Sequence, residues 1–241
     1  MSLNRYLIAG LKVEMEVTGE MLRSRSEKYR FDFEGEPDIS IVPQPDQLQK
    51  MGAEHPVLKP EAVEYLATGA MFYFRLLRFG GFMLHSSCIA YNGKAYIFSA
   101  DSGTGKSTHT SLWQQYVDGV TMINDDKPAV KLIDGVFYAI GTPWSGKTAQ
   151  NTDVQVPIGG FVMLSRGKVN KIYPGSVHEA IPFIMKQTMM SGKAESVDLL
   201  VDLMDKFLTS IPLYKLECDI SEQAVITSFE ALTGEKYIKR K

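Results

Sequence analysis

Cysteine is scarce: the 241 residues hold two, Cys88 and Cys218. Two cysteines make neither a disulfide framework nor a zinc site, and Cys88, inside an apolar strand, reads as a small core residue. Charge of one sign is lacking as well. The net charge is −2, charged residues make up 22%, and the pI is near 6.1. That balance gives no electrostatic case for nucleic acid or an anionic membrane as the main partner. No apolar run is long enough to span a bilayer, and no N-terminal segment resembles a signal peptide. A cytoplasmic protein is therefore expected. Internal repeats and low-complexity tracts are missing, and so is an Asn-Lys-x-Asp guanine-reading segment, which disfavours a G-protein switch. The basic end Lys239-Arg240-Lys241 reads as a solvated tail.

What is present is enough for a real core, since 44% of the residues are hydrophobic. Residues 1–60 read as a β-rich portion with a connector, and residues 61–241 as the main domain, the two forming one unit. In the first part Val13, Met15 and Val17 alternate with polar residues, as do Tyr29, Phe31 and Phe33, and then Ile39 and Ile41. Residues 43–60 hold four prolines and predict a connector. Apolar residues at helical spacing fill 61–79, ended by Gly80-Gly81. A strand from Phe82 to Ala90 turns at Asn92-Gly93 and returns. Another strand covers 120–123, a hairpin turns at Asp134-Gly135, and a strand covers 158–164. The last third predicts helices, with an apolar stripe from Leu199 to Leu208 and a final helix capped by Ser221 and stopped by Gly234.

The richest stretch is residues 95–117, AYIFSADSGTGKSTHTSLWQQYV. An apolar run enters a glycine-bearing turn, Ala100-Asp101-Ser102-Gly103-Thr104-Gly105, and helical spacing follows Lys106-Ser107-Thr108. This is the strand–loop–helix context of a phosphate-binding P-loop. Backbone N–H groups at a helix start can converge on an anionic tail, and the helix dipole adds partial positive charge there. Lys106 would reach the β- and γ-phosphates of a nucleoside triphosphate and Ser107 would hold Mg²⁺. Ala100 stands where the P-loop pattern asks for glycine.

Asp125-Asp126 follow Lys106 by nineteen and twenty residues, at the end of an apolar strand. An acidic pair there could divide the work of holding Mg²⁺ and accepting a hydroxyl proton. A polar turn after a strand would use the same residue types.

Leu84-His85-Ser86-Ser87, the hairpin, the 100–107 turn and Asn124-Asp125-Asp126 together resemble the catalytic domain of HPr kinase/phosphorylase and the related P-loop of phosphoenolpyruvate carboxykinase. The resemblance covers about residues 82–165. It implies an α/β P-loop kinase core with an N-terminal β-rich portion and a helical C-terminal third. It also implies ATP and Mg²⁺ as cofactors, His85 in the active site, and one aspartate as base with the other as metal partner. The acceptor would be a hydroxyl, first a serine of a protein or peptide and second a small metabolite alcohol. Thr108 replaces the family's glutamate after the P-loop serine, and the Ile-Arg-Gly-x-Gly segment is missing. The shorter HPr-kinase-related bacterial proteins share Asn-Asp-Asp-Lys-Pro and Gly-Thr-Pro-Trp-Ser-Gly-Lys. A nucleotide-binding regulator with little turnover is the alternative, and self-association is left open.

Four more residues carry both a functional and a bland reading. Lys147, in the glycine- and proline-bearing loop 141–147, could neutralise charge on a transferring phosphoryl group. Trp144 could stack on a base, line an acceptor pocket or cover an apolar edge. His109 is expected to face solvent, and Arg166 to lie in a turn of solvated charges.

Overall fold

The computed structural model describes residues 3–190 and 192–239. Arg240 and Lys241 of the basic tail lie outside the described residues. The chain is a mixed α/β protein whose main feature is a curled nine-stranded sheet, with a separate three-stranded sheet from its first 41 residues.

The small sheet joins β1 (Leu3–Ile8), β2 (Leu11–Glu16) and β3 (Ile39–Ile41). Burial along β2 alternates as its sequence does. The alternation at 29–33 does not make a strand. Tyr29 ends a 3₁₀ turn after α1 (Glu20–Ser26), and the segment meets β1 through a single bridge, Tyr6 to Arg30. Phe31 is exposed while the Phe33 ring lies under the cations of Arg5 and Lys12, so the three aromatics share no face. The connector at 43–60 contains a helix, α2 (Pro45–Glu54). Its prolines mark boundaries: Pro45 opens α2, Pro56 follows it and Pro60 opens α3 (Pro60–Leu76), as the missing proline N–H allows at a first turn.

The predicted strand 82–90 is two strands. β4 (Gly81–Met83) pairs with β8 (Ala129–Ile133), whereas β5 (Ser87–Tyr91) pairs with β6 (Lys94–Ser99) and β7 (Thr121–Asn124). Leu84–Ser86 leave the ladder between them, which places His85 in a break. The hairpins at Asn92-Gly93 and Asp134-Gly135 form as expected, the second joining β8 to β9 (Val136–Ile140).

β10 (Gln155–Arg166) curls the sheet. Its first residues pair antiparallel with β9, its middle parallel with β6, and its end parallel with β12 (Leu213–Cys218). A register shift at 158–160, next to two glycines, lets it bend. β12 and its partner β11 (Lys171–Pro174) lie in the third expected to be helical. That third also carries α5 (Val177–Gln187), α6 (Ala194–Ser210) and α7 (Glu222–Thr233), the last with its Ser221 cap and Gly234 stop in place.

Alternation sorts the core. Tyr96 and Phe98 of β6 face α4 (Lys106–Tyr116) and α7, around Trp113 and Phe229. Ala95 and Ile97 face α5 and α6, around Phe207 and Ile184. A third apolar cluster packs the small sheet against α3, β8 and Trp144. No helix among the described residues is long and apolar enough to cross a membrane.

Candidate functional site

β6 delivers the chain at buried Ala100 to an exposed turn, 101–103, which closes with a bond from the Thr104 N–H to the Asp101 carbonyl (3.1 Å). Gly105 caps α4 with φ +126°, a conformation that a side chain makes costly. Space around Gly103 and Gly105 is open, so backbone angle and not crowding calls for glycine there. Arg166, at the end of β10, donates from Nε to the Thr104 carbonyl (3.1 Å) and from Nη2 to the Gly103 carbonyl (2.5 Å). In a planar trans peptide the N–H points opposite the carbonyl. Arg166 thereby turns the Gly105 N–H away from itself. The first turn of α4 carries no acidic residue and presents N–H groups with partial positive charge.

Lys106 is buried (8% exposed) and donates to the Ala100 carbonyl (3.0 Å). Burial pushes its pKa below the usual lysine value, opposed by the carboxylates of Asp126 and Asp101. The Ser107 hydroxyl is 3.3 Å from the Asp125 carbonyl. Turn and acidic pair therefore meet, although β5 lies between β6 and β7.

Asn124 organises the strand end. Its carbonyl oxygen accepts from the N–H groups of Asp126 (2.9 Å) and Lys127 (2.7 Å), and its amide donates to the Thr142 and Trp144 carbonyls (both 3.1 Å). Asp125 is 4% exposed and accepts from the Gly146 N–H (2.5 Å) and the Thr148 hydroxyl. Among the described residues no basic side chain lies within ion-pair distance of it. Asp126 faces the other way. His85 Nε2 is 3.1 Å from its Oδ1, and the Lys127 ammonium bonds its Oδ2. Burial raises the Asp126 pKa, but the bond from His85 and the charge and bond of Lys127 outweigh it and bring it down to about 2. Gln187, at the end of α5, holds His85 through ring Nδ1 (2.9 Å) and backbone N–H (2.6 Å).

No protein-family model matches the chain, and no curated protein does. Among solved structures it is similar to the HPr(Ser) kinase/phosphatase from Coxiella burnetii. The likeness has 9% identity and a TM-score of 0.34, and covers 63% of this chain and 93% of that one. At that score the likeness is coarse, and the site stands on its own residues.

Of the residues singled out from sequence, Lys106, Ser107, Asp126 and His85 come together at the turn 100–108, while Asp125 meets it only through its backbone carbonyl and sends its carboxylate to the 141–151 loop. Lys147 is exposed on the loop whose Gly146 and Thr148 hold Asp125. Trp144 is core, stacked on Phe72 at 4.8 Å with its indole N–H on Thr68. One expectation fails. His109 is 3% exposed, bonded to Ser228 (3.0 Å) and near Cys218, because α4 turns that face onto α7. Burial holds its pKa down at about 4. Arg166 is exposed, as a solvated charge would be, and its guanidinium also bonds the glycine turn. Sequence reading passed over Gln187 and the pairing role of Lys127. Lys127 follows the acidic pair directly, which is a signal; Gln187 lies 102 residues from His85 and leaves none.

Proposed function

We propose that this chain is a Mg²⁺- and ATP-dependent kinase that transfers the γ-phosphoryl group to an acceptor hydroxyl. One observation carries the reading. The N-terminus of α4, with Lys106 and Ser107, adjoins an acidic pair whose two members are differently equipped. The 100–108 turn would bind the phosphates through its N–H groups and Lys106.

The donor set fits a divalent cation. Ser107 is exposed and its hydroxyl meets the Asp125 backbone carbonyl, while the Asp125 carboxylate is held by Gly146 and Thr148 with no basic side chain within ion-pair distance among the described residues. Ser107, with the Asp125 carboxylate turned toward it from Gly146 and Thr148, would hold Mg²⁺, which supplies charge neutralisation at the phosphoryl oxygens when bound.

Asp126, ionised at neutral pH and oriented by His85 and Lys127, would accept the acceptor's hydroxyl proton. A new oxygen–phosphorus bond forms as the γ-phosphorus bond to the bridging oxygen breaks. ADP leaves with that electron pair. Lys106 and the turn's N–H groups balance charge on the phosphates. Lys147, exposed on the neighbouring loop, would neutralise charge on the transferring phosphoryl group and has the smallest part in this scheme.

The deciding experiment is ADP release with and without a cell-extract acceptor pool, on the wild type and on Lys106→Ala. The wild type should show acceptor-dependent release, and the variant should lose at least ~10³-fold with its melting temperature little changed. Unaltered turnover in Lys106→Ala would end the proposal. Bound but unconsumed ATP would mark a nucleotide-binding regulator instead.

A further inference from the structure

A cavity of about 260 Å³ opens beside Lys127, walled by Met51, Tyr73, Met83, Trp144 and Met189. Its walls run directly into the polar cluster along three separate chain segments. Lys127 follows Asp126. Met83 precedes His85 by two residues. Met189 follows Gln187, the partner of His85, by two. Two residues of extended chain span about 7 Å, so cavity and cluster are immediate neighbours.

The chamber offers an occupant almost only apolar contact. The Tyr73 hydroxyl is spent on the Lys127 carbonyl and Thr142, and the Trp144 N–H on Thr68. The Lys127 ammonium is turned to Asp126. Trp144 holds its place because residue 69 is glycine, where an added Cβ would meet the indole at 2.8 Å. Three methionines in the wall can adapt to an occupant's shape. An apolar cavity of roughly 150 Å³ takes benzene, so this one has room for an aromatic or branched aliphatic side chain.

We propose that the acceptor carries a small apolar group close to its reacting hydroxyl, and that this cavity receives the group and so presents the hydroxyl to Asp126. The proposal rests on the kinase reading for the word acceptor. The apolar group belongs either to a free alcohol or to a side chain flanking a serine; both have the same chemistry at the site.

Benzyl alcohol, an apolar body bearing one hydroxyl, is the first probe, and glycerol its apolar-free control. Saturation-transfer NMR should show benzyl alcohol on the wild type and glycerol on neither protein. Ala70→Phe fills the chamber from the half-buried face of α3, and Met189→Glu charges it from a connecting segment. Each should weaken benzyl alcohol at least ~10-fold while Mg·ATP binding stays within a factor of two to three. No signal on the wild type, or an equal signal in both variants, overturns the proposal.

The second arm is transfer from Mg·ATP to benzyl alcohol, to N-acetyl-Ser-Phe-amide and to N-acetyl-Ser-Asp-amide. The apolar acceptors should exceed the aspartyl peptide about 30-fold in kcat/KM, as expected for burying one such group. Which of the two is labelled identifies the source. Equal turnover of both peptides with benzyl alcohol untouched overturns the proposal. If benzyl alcohol binds and no acceptor releases ADP, the kinase reading and the acceptor role fall together, and a site for small apolar alcohols is what stands.

Discussion

Asp125 and Asp126 are neighbours in sequence, yet they live in opposite surroundings. The Asp125 carboxylate points into the 141–151 loop, where a backbone N–H and a threonine hydroxyl hold it and, among the described residues, no basic side chain lies within ion-pair distance. The Asp126 carboxylate is met by an imidazole and an ammonium, and its charge acts on Lys106 of the 100–108 turn. The cause is local: Asn124 takes both following N–H groups on its side-chain oxygen, so the chain turns sharply and successive side chains diverge. A held carboxylate without countercharge suits a divalent ion. A compensated, ionised carboxylate suits orienting a hydroxyl by accepting its hydrogen bond.

That contrast is easiest to break at Asp126. Asp126→Asn should lower phosphoryl transfer by about 10³-fold, with Mg·ATP affinity by calorimetry within about threefold of wild type. More than a tenth of the wild-type rate would remove Asp126 from the proton's path. Asp125→Asn should behave differently: the Mg²⁺ concentration for half-maximal ADP release rises at least ~10-fold. An unchanged Mg²⁺ requirement would leave Asp125 as a loop anchor alone.

The pH dependence of stability separates the open site from the closed interior. His109 is buried neutral with a pKa near 4, below its ordinary 6.5. The unfolded chain takes up its proton first, so stability contributed by neutral His109 is full above pH 6.5 and is lost as pH falls to 4. The loss is about 3 kcal/mol. Asp126 has its pKa depressed from 3.8 to about 2, and its contribution is present above pH 3.8 and lost only as pH falls toward 2. Urea unfolding at pH 7.5 and pH 4.5 should therefore show a drop that His109→Gln removes and Asp126→Asn does not. The reverse pattern would mean that the two environments had been exchanged.

The smallest expected effect is at Arg166. Arg166→Met frees two carbonyls of the glycine turn and should raise KM for ATP about fivefold, or about 1 kcal/mol, with kcat little altered. Arg166→Lys restores charge without the two-pronged grip and should recover little.

Legibility in the sequence followed the range of the interaction. The glycine turn, Lys106-Ser107 and the acidic pair were visible because each is a run of adjacent residues with its own chemistry. The break at Leu84–Ser86 was not, since nothing in that apolar stretch says that β4 and β5 join different neighbours. His109 was misread because its exposure depends on α7, more than a hundred residues later. Pro45, Pro56 and Pro60 were read as breakers although two of them start helices.

The sequence by itself determined the hairpins at Asn92-Gly93 and Asp134-Gly135, the stop at Gly80 of the 3₁₀ turn that follows α3, the cap at Ser221 and the turn into α4. In each the controlling forces act between residues a few positions apart. Tertiary structure alone decided that β12 lies parallel to β10, that Gln187 fixes His85, that Arg166 holds the glycine turn and that the 141–151 loop takes the Asp125 carboxylate. Those contacts join segments far apart along the chain, and which partners meet depends on packing the whole sheet and its helices at once.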